Sequence, residues 1–369
     1  MSDHMLIANY DPINGWSAPE IKPYAPLLLD PASSCLHYSS NVFEGMKVSR
    51  IPLLPFFDCV LIERRMGQAY VGPDGTPRLF RPSKNMDRLT ISAARVALPP
   101  FDSDALLILI KKLVIIDKRW IPSLPGYSLY IRPTIIGTRS SLGVVASDSA
   151  MLFVILSPTG PYFPIPSPLS LLSVGQCVRS WPGGTGGYKL ASNYTQGFLP
   201  QQIAARRGFH QCLWLLGGDT ITEAGAMNFF VVLKRDDGDL DVVTPPLDGT
   251  ILPGLTREAC LGLLKAHPDK TRLPNLPDTL TIHTHERTLT MTQLAQYHAQ
   301  GRLSEAFVSG TAVIVAPVGR IGWEDEKKGD IALKEWEGAY GPVGRALWER
   351  LVDIQQGRVE WEGWSVPCV

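Results

Sequence analysis

The sequence predicts an α/β or α+β protein of two domains with mixed sheets. Three observations carry this. The 369 residues exceed one ordinary domain of about 100–200 residues. Short runs rich in β-formers alternate with runs of helical apolar spacing. The stretch SPTGPYFPIPSP, residues 157–168, holds five prolines and fits no regular element, so it reads as a linker. The expected division is a small N-terminal domain, 1–156, an interdomain loop, 157–168, and a larger C-terminal domain, 169–369.

In chain order, residues 1–50 carry short segments punctuated by Asn14-Gly15 and Pro31, as strands and loops do. KNMDRLTISAARVA, residues 84–97, places Met86, Leu89 and Ala93 at helical spacing. Asp102-Ser103-Asp104 caps a second helix, about 104–118. YSLYIRPTII, 127–136, and AMLFVILS, 150–157, read as strands. In the second half, 196–207 reads as helix, 210–216 and 226–233 as strands, and Asp236–Asp239 as a hairpin turn. Residues 256–265 read as helix. Residues 305–316 read as strand with a small-residue turn at Ser309-Gly310-Thr311-Ala312.

Composition excludes several classes. Lys+Arg and Asp+Glu are both 35, so nothing points to nucleic acid or an anionic membrane surface. Six scattered cysteines form no CxxC or metal-ligand spacing, and only His283 and His285 lie close together. A reduced compartment without a metal site is expected. The N-terminus carries neither a signal-peptide nor a transit-peptide pattern. The most apolar window, 106–116, is too short to span a bilayer. The expectation is a soluble cytoplasmic protein.

GGTGGYKLASNY, residues 183–194, sets Lys189 after a glycine-rich approach. A Schiff-base lysine needs a partly desolvated amine held near an aldehyde, and glycines let backbone approach a planar ligand. A surface lysine is the commoner use of the residue. Glu223, in ITEAGAMNFF, is either a turn carboxylate or the partner of a pyridinium nitrogen. In LDGTILPGLTREAC, Thr256 is the natural N-cap, and the same helix start suits a phosphate. The 309–312 turn also suits an anion. Arg88 is either a solvated helix arginine or a phosphate clamp.

Each signal is weak alone, but FEG, NMDR, LYIRPT, GGTGGYK, NY, TEAGAMN, LDGTILPGLTR and SGTA form an ordered series along the chain. This series resembles the branched-chain amino acid aminotransferases of eukaryotic type, class IV (fold type IV) enzymes that use pyridoxal phosphate. The resemblance implies a small N-terminal α/β domain and a larger cofactor-binding domain with a mixed, barrel-like sheet. Lys189 would bind the cofactor covalently, Glu223 would face its ring nitrogen, and Tyr194 would bond its phenolic oxygen. Arg88, the backbone at Leu255 and Thr256, and Thr311 would hold the phosphate. Tyr38, Phe43, Tyr130 and Arg132 would line the substrate pocket, and the Thr311-Ala312 backbone would bind the substrate carboxylate. The implied substrates are L-leucine, L-isoleucine and L-valine with 2-oxoglutarate, and the implied assembly is a homodimer. A D-amino acid or (R)-amine transaminase, or a product impaired by an insert, is the alternative.

The sequence departs from that family pattern in four places. Ala226 stands where a Thr is common. SGTAVIVAPV carries Val313 and Ala316 in place of a CxxC, so no thiol switch is expected. A short leading strand is missing. The largest departure separates FEGMK from AYVGPDG by 21 residues, Val48 to Gln68. Val-Ser-Arg can be encoded GTG-AGT-CGN, which opens like a splice donor, and Gln68 by CAG, which closes like an acceptor. The expectation is a retained intron; a genuine loop insertion is the alternative.

Overall fold

The computed structural model describes residues 1–48, 75–124, 127–162, 167–325 and 327–369. Apart from Val48, the expected insert at 48–68 lies outside the described residues, as do 163–166 of the expected linker. The chain divides into two compact units, neither of them continuous: Met1–Pro161 with Tyr188–Ser192 and Val352–Val369, and Tyr162–Gly187 with Asn193–Leu351.

In unit 1, β-branched and alternating segments build β1 (His4–Asp11), β2 (Gly15–Trp16), β3 (Glu20–Pro23), β4 (Asn41–Phe43), β5 (Met46–Val48), β6 (Arg78–Phe80), β7 (Ser128–Gly137) and β8 (Ala150–Thr159). The helices are α1 (Ser34–Tyr38), α2 (Pro82–Arg95) and α3 (Ser103–Ile116). The main sheet runs β2-β1-β8-β7-β4, with β3 on β1 and β5 on β7. Strand β7 alternates strictly at its centre. Leu129 and Ile131 are fully buried in a core shared with Leu89 of α2 and Leu113 of α3, while Tyr130, Arg132 and Thr134 lie on the other face, half-buried.

Pro82 opens α2, where a missing N–H costs nothing. Asp102 caps α3 through its side chain, accepting from Ala105 N at 2.9 Å, as the sequence suggests.

Two segments far along the chain join this unit. Leu190 bridges to Val42 and is 1% exposed. The strand Ser365–Pro367 pairs antiparallel with β6. A linear reading of domains does not anticipate such returns. The expected linker also starts too early, because β8 continues through Ser157, Pro158 and Thr159, paired with Tyr130, Leu129 and Ser128. On its other side β8 pairs with β1 only as far as Ile155. Pro158 therefore sits where its missing N–H breaks no ladder.

Unit 2 holds β9 (Leu169–Val174), β10 (Gln211–Leu216), β11 (Thr220–Ala224), β12 (Met227–Lys234), β13 (Leu240–Thr244), β14 (Ile282–Glu286), β15 (Leu303–Gly310), β16 (Ile314–Gly322) and β17 (Ile331–Ala332). Ser365–Pro367 is β18. The later helices are α4 (Ser192–Thr195), α5 (Phe198–Arg206), α6 (Leu255–Ala266), α7 (Met291–Ala299) and α8 (Pro342–Gln355). The sheet order is β11-β10-β9-β16-β15-β12-β13-β14, and β11 also pairs with β12. That extra pairing closes β9-β10-β11-β12-β15-β16 into a ring, the barrel-like sheet expected. Alternate residues Met227, Phe229, Val231 and Leu233 of β12 enter one apolar core with Leu171, Leu213, Val308 and Ala316. Gly238 supplies the positive φ, 90°, of the β12–β13 hairpin.

Candidate active site

In unit 1 the candidate residues are built around FEG. Phe43, Glu44 and Gly45 follow one another and do three different things. The Phe43 ring lies under two cations, with the Arg132 guanidinium 4.6 Å and the Lys189 Nζ 4.8 Å from its centroid. Glu44 is fully buried. Its Oε1 accepts from Arg88 Nε at 2.7 Å, and its Oε2 accepts from Arg88 Nη2 at 2.9 Å, Asn85 Nδ2 at 2.8 Å and Gly45 N at 3.1 Å. Burial pushes the Glu44 carboxyl up, but the charge and bonds of Arg88, with Lys189 and Asn85, outweigh it and hold it below the ordinary value. A Cβ at Gly45 would stand 2.0 Å from the Tyr130 hydroxyl, so only glycine leaves that ring its place. Tyr130 Oη in turn accepts from Arg132 Nη2 at 3.4 Å. Arg132 Nε is buried and has no hydrogen-bond partner among the described residues.

Lys189 is fixed through its backbone. Its N–H donates to Ser92 Oγ at 2.9 Å, and its carbonyl accepts from Phe43 N at 3.3 Å. Ala191 N donates to the Asn41 carbonyl at 3.1 Å. Asn85, Arg88 and Ser92 stand at helical spacing on α2 and are all buried. They form a polar stripe beside the apolar one of Met86, Leu89 and Ala93.

In unit 2 the candidate residues centre on Glu223, 2% exposed on β11. Its Oε2 pairs with Arg179 Nη2 at 2.9 Å. Its Oε1 accepts from Leu252 N at 2.6 Å and Asn228 Nδ2 at 3.4 Å. Asn228 Nδ2 also donates to the Leu252 carbonyl at 3.0 Å, and Arg179 Nη1 to the Thr250 carbonyl at 3.3 Å. The loop LDGTILPG is thus stitched to the ion pair, residue 250 to Arg179 and residue 252 to Glu223. Register continues the row, Glu223 opposite Asn228 and Asn228 opposite Ser309. Ser309 Oγ is buried without a hydrogen-bond partner among the described residues.

The start of α6 follows that loop. Its N-cap is Gly254, with no side-chain cap bond, so the expected capping role of Thr256 is corrected: Thr256 lies one residue into the helix. Asn228 is the reason, because a Cβ at Gly254 would meet Asn228 Oδ1 at 1.9 Å. Leu255 and Thr256 are the first two residues of the helix. Thr311 and Ala312 lie in the half-buried turn joining β15 to β16. Tyr194 is half-buried in α4, its carbonyl accepting from Gly197 N at 3.1 Å. Tyr38 is placed by a different bond, from its hydroxyl to the Leu142 carbonyl, and is 41% exposed.

Among the glycines before Lys189, Gly186 is required by neighbouring chain. A Cβ at Gly186 would lie 2.3 Å from the Thr250 carbonyl oxygen and 2.5 Å from Ser180 Cβ. Gly186 thus admits neighbouring chain. Sequence reasoning passes over Asn85, Ser92, Arg179 and Asn228, and takes Glu44 only as part of a motif. For the α2 residues a signal exists, since Asn, Arg and Ser recur at helical spacing inside a buried helix. For Arg179 there is none.

His283 and His285, the close pair in sequence, face Asp239 and Asp241 across β13 and β14 at 3.3 and 2.9 Å. Among the described residues the one group with metal-ligand proximity is Asp3, His4 and Asp117. Its members are already engaged, His4 Nδ1 with Asp117 at 2.7 Å and Asp3 with Arg119. No helix among the described residues is long and apolar enough to cross a membrane.

Comparison with known proteins agrees with the fold. The protein is similar to the branched-chain amino acid aminotransferase of Escherichia coli, with a TM-score of 0.70, 24% identity, and coverage of 100% of this chain and 99% of that one. It is also similar to the Thermobaculum terrenum branched-chain amino acid aminotransferase solved in its PLP form, with a TM-score of 0.72, 18% identity, and coverage of 100% and 99%. In sequence it is 41% identical to the Dictyostelium discoideum branched-chain-amino-acid aminotransferase, over 99% of this chain and 87% of that protein. It is 42% identical to the mitochondrial enzyme of Saccharomyces cerevisiae, over 99% and 85%. The family model for amino-transferase class IV matches residues 74–321. The chain belongs to the amino-transferase class IV family.

Proposed function

We propose that this protein transfers the amino group of L-leucine, L-isoleucine and L-valine to 2-oxoglutarate, using pyridoxal 5'-phosphate. The observation that carries the reading is identity of 41% over 99% of the chain with an enzyme of that name. The residues fit the cofactor. A lysine with a fixed backbone, a buried carboxylate, a helix start without a side-chain cap and an unpartnered buried hydroxyl at Ser309 are the donor set such a group requires. When bound, pyridoxal phosphate supplies an aldehyde and an electron-accepting ring.

Lys189 would hold the cofactor covalently and would move the proton at the substrate α-carbon. Glu223, oriented by Arg179 and the Leu252 amide, would face the ring nitrogen and hold a proton there. Tyr194 bonds the phenolic oxygen. The α6 start at Leu255 and Thr256, with Thr311 and Arg88, binds phosphate. Phe43, Tyr38 and Tyr130 accept the aliphatic side chain, Arg132 a carboxylate, and the Thr311-Ala312 backbone the other. Selectivity among the three amino acids is slight, since one methylene is worth about 1–3 kcal/mol. The protein acts as a homodimer in the cytosol.

The test is a leucine/2-oxoglutarate assay with the absorption spectrum of the purified protein. Wild type is expected to be yellow. Lys189→Ala is expected to lose the band and activity by about 10³-fold or more. A colourless wild type, or a Lys189→Ala variant as active as wild type, refutes the reading.

A further inference from the structure

We propose that Glu44 is the positioning residue for Arg88, fixing the guanidinium so that a phosphate-bearing ligand is held in preference to the same ligand without phosphate. This rests on the reading of Arg88 as a phosphate-binding residue.

The geometry is that of a fork gripped by a carboxylate. Two parallel bonds, Nε to Oε1 at 2.7 Å and Nη2 to Oε2 at 2.9 Å, leave the guanidinium plane no freedom to rotate. The carboxylate cannot turn either, because Asn85 and the Gly45 amide bond its Oε2. All of this is interior: Glu44 is 0%, Asn85 3% and Arg88 7% exposed. Stability alone does not explain such a pair. An apolar pair of equal volume is often as stable as a buried ion pair or more so. The neighbouring stripe of α2 already supplies apolar packing through Met86, Leu89 and Ala93. What the pair adds is a cation at a fixed point.

The same helix carries Ser92, which holds the Lys189 amide at 2.9 Å. One helix face therefore sets both the arginine and the lysine backbone, and Glu44 is the anion that the face encloses.

Electrostatics gives the proposal a sign. As a bare charge, Glu44 repels a phosphate dianion, so its removal would strengthen binding. As the residue that orients Arg88, it aids binding, so its removal weakens it. The positioning role requires the second outcome, and requires it for phosphate alone.

The experiment titrates the full chain, stripped of cofactor, with pyridoxal 5'-phosphate and separately with pyridoxal, in wild type, Glu44→Gln and Glu44→Asp. Glu44→Gln is expected to bind pyridoxal phosphate roughly tenfold to a hundredfold more weakly and pyridoxal within about twofold of wild type. Glu44→Asp keeps the charge balance but not the grip, so it should fold and show the same selective loss. It carries the test if the glutamine variant does not fold. Arg88→Lys should reproduce the selective loss, and Glu44→Gln with Arg88→Lys should add little to it. Equal losses for both ligands, or unchanged or tighter binding of pyridoxal phosphate, overturn the proposal and leave the cofactor reading standing. A wild type that binds neither ligand overturns both.

Discussion

Among the described residues each unit buries one carboxylate–guanidinium pair, and the two pairs engage their arginines differently. In unit 1 the Glu44 carboxylate takes the Nε and Nη2 of Arg88 and two further donors, so the guanidinium is gripped along one edge. In unit 2 Glu223 takes one arm of Arg179, a backbone amide and an asparagine, while the other arm of Arg179 goes to the Thr250 carbonyl. There Arg179 also anchors a loop. Both carboxylates take two further donors, so the pairs differ at the arginine: two nitrogens of Arg88 go to its carboxylate, while Arg179 divides its bonds between a carboxylate and a loop carbonyl.

Replacing each arginine by lysine separates the two arrangements most sharply. Lysine keeps the charge but loses the fork. Arg88→Lys is expected to cost about 1.5–3 kcal/mol of stability, the worth of a charge-assisted bond. Arg179→Lys should cost less, because Nη2 is the nitrogen that pairs with Glu223 and lysine can keep that charge contact. Urea denaturation of both variants checks this, and equal costs would erase the distinction. The next effect is steric. Gly45→Ala puts a methyl 2.0 Å from the Tyr130 hydroxyl, and the forced shift should cost about 1–3 kcal/mol and raise KM more than it lowers kcat. An unchanged KM would show that Tyr130 has no part in substrate binding.

The smallest effect is in acid. Glu44 is held below its ordinary value of 4.5, so its contribution is complete above that pH and is lost as pH falls through the folded value. Stability of Glu44→Gln, lower at neutral pH, should converge on that of wild type as pH drops. Parallel curves down to the acid limit would contradict it.

Reading the sequence locates one member of each pair and misses the other: Arg88 without Glu44's role, Glu223 without Arg179. Short motifs advertise residues that sit beside glycines and in turns. Partners that arrive from distant strands leave no local trace. Elements with strong periodicity are legible for the same reason, α2 expected at 84–97 and found at Pro82–Arg95, α6 expected at 256–265 and found at Leu255–Ala266. The ring closure between β11 and β12 is not legible from the residues and comes only with the resemblance. The return of Leu190 and of Ser365–Pro367 to unit 1 depends on pairings that no window of sequence contains.

The insert remains a matter of sequence. Its first residue, Val48, is buried and opposite Leu129 on β5, the place Ala69 would take if 48–68 were absent. Deleting 48–68 is expected to raise solubility and specific activity, since the strand then runs directly into AYVGPDG. Equal activity of the two purified forms would contradict this, and a transcript population uniformly retaining the segment would end the intron reading.

Arg88 and Ser92 sit one turn apart on α2, and the second of them holds the Lys189 peptide. Thermal tilting or sliding of that rod carries both attachments along together. Their mutual spacing is therefore insulated from the very motions that would blur two groups mounted on separate loops.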